Sequence, residues 1–235
     1  MDATTIIRSD PVSLRVHEAG SFLHRATVSV AFASCYVYSP HGNGAGSVAS
    51  RVMRTRVKNA DPEWLAAYVD GVRGENLGKV LTADFFGRGT CLVPVPSYLP
   101  IAGIGVWSAS CLVSALLERG PTGTNVWRGL RRVYPVKKSS TARAGERPTV
   151  KQHYRSLAVE RISIAPERIV LVDDVVTKGR TLLAAAMRLR EAFPHARIRA
   201  FALIRTVGFG AEVGRLLEPC SGRIEWTGRD ARRTP

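Results

Sequence analysis

Short apolar runs recur along this chain, each closed by a turn signal and most followed by a stretch with helical spacing. Residues 26–38 are rich in valine, aromatic and small side chains and predict a strand. Ser39-Pro40-His41-Gly42-Asn43-Gly44-Ala45-Gly46-Ser47 breaks it as a glycine-rich turn. Over 47–58 the spacing predicts a basic helix, with Arg51, Arg54 and Lys58 on one face. Asp61-Pro62-Glu63-Trp64 reads as the start of the next helix, Asp61 capping it and Pro62 in its first position, and this helix is expected to reach Val69. Residues 91–97 predict a second strand, bounded by prolines and followed by a helix over 106–118. Two more strands are expected at 168–172 and 197–206, with a helix over 182–191 between them. Beyond them, 208–217 is read as helix, 223–227 as an edge strand, and the charged residues 228–235 as a frayed end. Residues 1–25 hint at a short hairpin.

Strands alternating with helices predict an α/β fold, a mostly parallel sheet flanked by helices, with any ligand beyond the carboxyl ends of the strands. The division expected is an N-terminal extension or hood over 1–85 and a main domain over 86–235.

The informative stretch is 168–183. Its apolar run ends abruptly in Asp173 and Asp174, the pattern of a strand buried on both faces that delivers charge at its end. Val175 and Val176 follow, then Thr177, Lys178, Gly179, Arg180 and Thr181, then the helix. A strand that turns into a helix through glycine gathers free backbone N–H groups and the positive helix end at one point, which suits phosphate. Val176, Thr177, Lys178, Gly179, Arg180 and Thr181 are therefore the candidate phosphate cradle. Two carboxylates beside an anion site need a partner on the ligand other than phosphate. Ribose hydroxyls, with Mg²⁺ assisting, supply one, so the segment reads as a ribose 5-phosphate site. A surface βα turn with a chance acid pair is the alternative.

The run of apolar residues, the two acids and the Thr-x-Gly-x-Thr ending closely resemble the phosphoribosyl-pyrophosphate (PRPP) motif of the type I phosphoribosyltransferases. Cys91-Leu92-Val93-Pro94-Val95-Pro96-Ser97 resembles the Val-Pro-Val-Pro strand of the competence-protein ComF group within that family. The resemblance covers about 91–206 and implies Mg²⁺-dependent transfer of ribose 5-phosphate from PRPP to an acceptor, expected to be a nitrogen. It implies that Asp173 and Asp174 hold the ribose and, through water, the metal, and that Pro96, Ser97 and Tyr98 meet the diphosphate. It also implies a flexible loop whose cations hold the leaving diphosphate, for which Lys137, Lys138, Arg143 and Arg147 are the candidates, Arg143 and Arg147 as catalytic groups. A basic linker without a partner is the rival reading of that loop. His153 and Tyr154 either read an acceptor base or pack under the loop. The chain departs from the ComF group in two ways. It lacks a four-cysteine zinc module, and it has Gly105-Val106-Trp107-Ser108-Ala109-Ser110 where an Arg-Gly-Phe-Asn-Gln run is usual.

Composition narrows the remaining classes. The net charge is +15, with 34 Lys and Arg against 19 acids, a balance that attracts polyanions such as nucleic acid, or else reflects a solvated basic surface. Four scattered cysteines without a Cys-x-x-Cys pair indicate neither zinc nor a disulfide framework. No apolar run reaches the ~18 residues of a membrane span, and residues 1–5 do not begin like a signal peptide, so a cytoplasmic location is expected. The glycines at 42–46 miss the dinucleotide spacing, and Gly74-Glu75-Asn76-Leu77-Gly78-Lys79-Val80 misses that of a P-loop. The partners expected are PRPP, an acceptor, a second copy of the chain, and nucleic acid on the basic surface. A non-catalytic PRPP or nucleotide sensor, and a ComF-like factor binding single-stranded DNA, are the alternatives to an enzyme.

Overall fold

The computed structural model describes residues 28–74, 85–100, 106–119, 124–138, 144–160, 162–208 and 210–235. Seven strands form its main sheet: β1 (Ser29–Tyr38), β2 (Thr90–Pro94), β3 (Asn125–Val126), β6 (Arg168–Val176), β7 (Arg197–Thr206), β8 (Leu217–Trp226) and β9 (Ala231–Thr234). Their order is β3-β2-β6-β7-β1-β8-β9. The first five are mutually parallel, β8 runs antiparallel to β1, and β9 runs antiparallel to β8. A separate antiparallel pair joins β4 (Leu130–Arg132) to β5 (Leu157–Val159).

The interior strands are apolar on both faces because helices cover both. In β6, Val170 and Val172 face a core shared with α1 (Ala45–Lys58), α2 (Pro62–Gly74) and α3 (Ser108–Arg119). Ile169 and Leu171 face the opposite core, closed by α4 (Val150–Arg155) and α5 (Arg180–Ala192). Helix α5 is buried continuously from Leu182 to Leu189, with Ala184, Ala185 and Ala186 allowing close approach to the sheet. Helix α4 is tied to it by Arg188, whose guanidinium lies 3.9 Å from the centre of the Tyr154 ring and donates from Nε to the Tyr154 carbonyl at 2.9 Å. Its own start carries a capping box, Thr149 and Gln152 bonding each other's backbone N–H groups.

Of the hood expected over 1–85, Ser29 to Gly74 belongs to the sheet and its helical layer: β1 is hydrogen-bonded between β7 and β8. The hairpin expected in 1–25 lies outside the described residues. The segment read as a helix over 208–217 is irregular where described up to 216 and ends in the first residue of β8. Its Glu212 carboxylate is drawn to the start of α1, accepting from the Asn43 and Gly44 N–H groups at 2.7 and 2.9 Å and from Ser47 Oγ at 2.7 Å. A Cβ at Gly46 would stand 2.0 Å from the Val213 carbonyl oxygen, so glycine is what lets this segment lie on the helix. The edge strand expected at 223–227 is the end of β8, and the edge itself is β9, formed by residues read as a frayed end. A four-residue turn makes this hairpin, with Gly228 at φ +85° and Thr227 bonded to Asp230. No helix among the described residues is long and apolar enough to cross a membrane.

The two cores set the stability. Leu171 is fully buried in an interior strand, so Leu171→Ala should lower the unfolding free energy by about 2–5 kcal/mol in urea titrations. Ile164 is 82% exposed, and Ile164→Ala should change it by under about 0.5 kcal/mol.

Candidate functional site

Parallel alignment brings the carboxyl ends of β2, β6, β7 and β1 to one edge of the sheet, and the loops that leave them form the site. Strand β6 continues to Val176, so both acids sit within the strand rather than after it. Successive side chains of a strand point to opposite faces, and this pleat separates the pair. Asp174, 1% exposed, lies on the face of α1 and α3. Its Oδ1 accepts from Lys58 Nζ at 2.6 Å and from the Val175 N–H at 2.6 Å, and Ser108 at the start of α3 donates to Oδ2. Burial pushes this carboxyl up, but the Lys58 ammonium and the three hydrogen bonds outweigh burial and hold it below the usual range. Asp173 keeps part of its surface open, and its Oδ1 accepts from the Asp174 N–H at 2.9 Å. Its enclosure and the neighbouring Asp174 charge push it upward, with Lys58 opposing. One acid is thus fixed and ionised, while the other keeps an open surface and fewer partners.

The turn after the acids is built as the spacing predicted. Gly179 has φ +80° and caps α5, and a Cβ there would meet the Ile224 side chain at 2.6 Å. The first N–H groups of α5 have no intrahelical acceptors and open onto this turn. Thr177 Oγ1 lies 3.1 Å from Thr206 Oγ1, and Thr181 Oγ1 lies 3.3 Å from His153 Nε2. Val176 is buried, its carbonyl accepting from Arg233 Nη1 at 3.1 Å while Arg233 Nη2 reaches the Thr206 carbonyl at 2.6 Å.

The cations of the turn are already paired. Arg180 forks onto Asp230 of the β8–β9 turn, with both contacts at 2.6 Å, and Lys178 reaches the same carboxylate at 3.4 Å. Arg180 also donates to the Arg147 and Pro148 carbonyls at 3.4 and 3.3 Å. An anion in this turn therefore meets backbone N–H groups and hydroxyls first, and the two side-chain charges are shared with Asp230.

On the β2 side, Pro96, Ser97 and Tyr98 do form the loop leaving the strand. Ser97 Oγ is bonded within its own turn, to the Leu99 carbonyl and N–H. Arg132, 3% exposed, lies beneath it and bonds the Pro96 and Ser97 carbonyls and Ser156 Oγ. Trp107 Nε1 donates to the Val95 carbonyl at 2.7 Å and so returns the chain to the strand before α3. Among the loop cations, Lys137 pairs with Glu146, and Lys138 Nζ stands 5.4 Å from the centre of the Tyr98 ring. The Arg147 side chain is exposed, and Arg143 lies outside the described residues. His153 and Tyr154 are buried and pack beneath the site. Burial, with Arg132 and Arg180 nearby, pushes the His153 ring down to about 3, which keeps it uncharged at neutral pH.

Four participants were not predicted: Lys58 as a partner for the acid pair, Ser108, Arg132 and Asp230. A signal existed for one. Arg132 is two residues from the fully buried Leu130, and the alternation of β4 places both on the same inward face. The other three meet the site only through tertiary packing.

No family model matches this chain, and no curated protein does. Among solved structures, a hypoxanthine phosphoribosyltransferase from Staphylococcus aureus is similar at 14% identity and TM-score 0.35, over 63% of this chain and 69% of that one. The adenine phosphoribosyltransferase of Leishmania tarentolae is similar at 18% identity and TM-score 0.31, over 74% of this chain and 83% of that one. That of Leishmania donovani shows 16% identity and TM-score 0.33, over 77% and 84% respectively.

Asp230 gives this site a measurable signature in stability. The Arg180 hydrogen bonds, then the Ala231 N–H and Lys178, hold its carboxyl down at about 2 against partial burial, from an ordinary 3.8. A depressed acid favours the folded state above its ordinary value, and that contribution is lost as pH falls toward the depressed one. Asp230→Asn should lower stability at neutral pH by on the order of 2 kcal/mol. In urea titrations the gap between parent and variant should close between about pH 4 and pH 2.

Proposed function

We propose that this chain binds PRPP and transfers its ribose 5-phosphate to an acceptor nitrogen, releasing diphosphate. The observation that carries this reading is the adjacency at the end of β6: a split carboxylate pair followed directly by a glycine-capped helix start. One element thus offers acceptors for two vicinal hydroxyls and donors for a phosphate, at the separation the strand-to-helix turn imposes. The resemblance of 168–181 to the PRPP motif supports the same assignment.

In this reading Thr177, Thr181 and the N–H groups of 178–181 take the 5-phosphate, and Asp173 takes the ribose hydroxyls. Asp174 is the fixed charge behind it, held by Lys58 and Ser108. In the reaction the C1–O bond to diphosphate breaks, its electron pair leaving with the diphosphate. A C1–N bond forms on the opposite face, and the acceptor nitrogen gives up its proton to solvent water. Positive charge gathers at C1 during the step, and the ionised Asp174 and the polarisable Asp173 suit it. The negative charge gathering on the leaving group is met from the β2 loop and from Lys137, Lys138 and Arg147.

Mg²⁺ fits the donor set only through water. Among the described residues no group of three or more His, Cys, Asp or Glu side chains could hold a metal ion. Both Asp174 oxygens already accept hydrogen bonds, so Asp173 is the carboxylate able to meet a hydrated cation that arrives with the diphosphate. When bound, the ion would neutralise leaving-group charge. A sensor that binds PRPP without turning it over would use the same residues, and turnover separates the two.

The test is release of diphosphate from PRPP in the presence of Mg²⁺ and a panel of purine and pyrimidine bases, alongside calorimetric binding of PRPP. The parent should bind PRPP, and Asp173→Asn, which leaves the Lys58–Asp174 pair in place, should lower its affinity at least about tenfold, or 1.4 kcal/mol. Equal PRPP affinity in the variant would remove the ribose assignment. Binding without diphosphate release from any base would favour the sensor.

A further inference from the structure

Arg132 is a buried cation whose bonds all point at one loop and its support. Burial lowers its guanidinium to about 10, so it stays charged at neutral pH, and no carboxylate is within salt-bridge distance among the described residues. Leaving a buried charge without a direct counter-ion costs several kcal/mol, and a neutral residue of similar volume would avoid that cost. What the guanidinium holds instead is two successive carbonyls, Pro96 at 3.5 Å and Ser97 at hydrogen-bond distance, while Nη1 is braced by Ser156 Oγ. Ser156 is itself held by its donation to the His153 carbonyl at 2.7 Å.

The backbone consequence follows from peptide geometry. In a trans peptide the carbonyl and the N–H point in opposite directions, and the described chain has no cis peptide. The peptide unit carrying the Pro96 carbonyl ends in the Ser97 N–H, and that carrying the Ser97 carbonyl ends in the Tyr98 N–H. Drawing both carbonyls inward turns both N–H groups outward, to the side away from Arg132. Two adjacent outward N–H groups above a buried guanidinium suit an anion. The Tyr98 carbonyl is fixed as well, by the Val136 N–H at 2.9 Å, so the far end of this short arc does not turn freely.

We propose that Arg132 is the positioning residue of a diphosphate subsite: by holding the Pro96 and Ser97 carbonyls it presents the Ser97 and Tyr98 N–H groups to a diphosphate, and its charge adds attraction from behind. This rests on the PRPP reading for the identity of the anion, while the geometry itself requires only an anion of that class. Lysine at 132 keeps the charge but replaces a planar fork by a single ammonium and cannot grip two carbonyls in the same way.

The probe is inorganic diphosphate, with ribose 5-phosphate as the control ligand for the separate cradle at 176–181. Arg132→Lys should weaken diphosphate binding about tenfold and leave ribose 5-phosphate affinity within about twofold, both by calorimetry. In the parent, titration with diphosphate should move the Ser97 and Tyr98 backbone amide resonances, a readout that does not depend on the variant folding. Parent-like diphosphate affinity in Arg132→Lys, an equal loss of both ligands, or amide resonances that stay in place would each overturn the proposal, as would a parent that binds no diphosphate. A parent that binds diphosphate through these amides but binds neither ribose 5-phosphate nor PRPP leaves the role of Arg132 standing and removes the transferase reading.

Discussion

An ionised carboxylate at the end of an interior strand, cut off from water, has to be surrounded by donors. The neighbourhood of β6 is arranged around that requirement. Asp174 is met by an ammonium from α1, a hydroxyl from α3 and the next N–H of its own strand. Those three contacts fix where α1 and α3 end and begin relative to the sheet. The pleat then leaves Asp173 on the other face, where its charge is felt by Arg132, which in turn shapes the β2 loop. Remove the acids and neither Lys58 nor Ser108 keeps the partner that holds it at the sheet's edge.

The basic face of α1 illustrates how local pattern and tertiary role part company. Arg51, Arg54 and Lys58 share a face, and such a stripe ordinarily meets solvent. Here it turns toward the loops at the sheet's edge: Arg51 donates to the Gly42 carbonyl at 2.7 Å, Arg54 stands over the Tyr38 ring at 5.3 Å, and Lys58 takes Asp174. Several cations near the site are oriented in this way, by carbonyls, rings and a few carboxylates.

The strands and helices that carry their own period were legible in the sequence. β1, β2, β6 and β7, the helices α1, α2, α3 and α5, and the strand–acid–acid–glycine order of the cradle could be read from apolar runs, capping residues and turn chemistry. Three things were not. β9 has only four residues, two of them arginines, and becomes a strand because β8 offers it a ladder, so no local preference announces it. The 208–216 segment has helical spacing, yet its Glu212 is worth more at the start of α1 than in a helix of its own. Asp230 and Lys58 are ordinary charged residues until the fold sets them opposite Arg180 and Asp174. The charge pairs and the Glu212 contact join residues far apart in the chain, where spacing carries no information, while β9 is a short hairpin partner whose own residues carry no strand pattern.

The place of β1 has a consequence for how the chain acquires its structure. A parallel strand flanked by β7 on one side and β8 on the other finds both partners only after the entire intervening chain has been made. Until then a ten-residue segment with Val30, Phe32, Ala33 and Val37 on its two faces has no ladder to join. The interior of the sheet thus depends on pairing between segments far apart in the chain, a topology of high contact order in which loop closure matters more to folding than local preference. During synthesis the same segment is an unpaired apolar strand, the kind of surface that chaperones recognise and that aggregates when they do not.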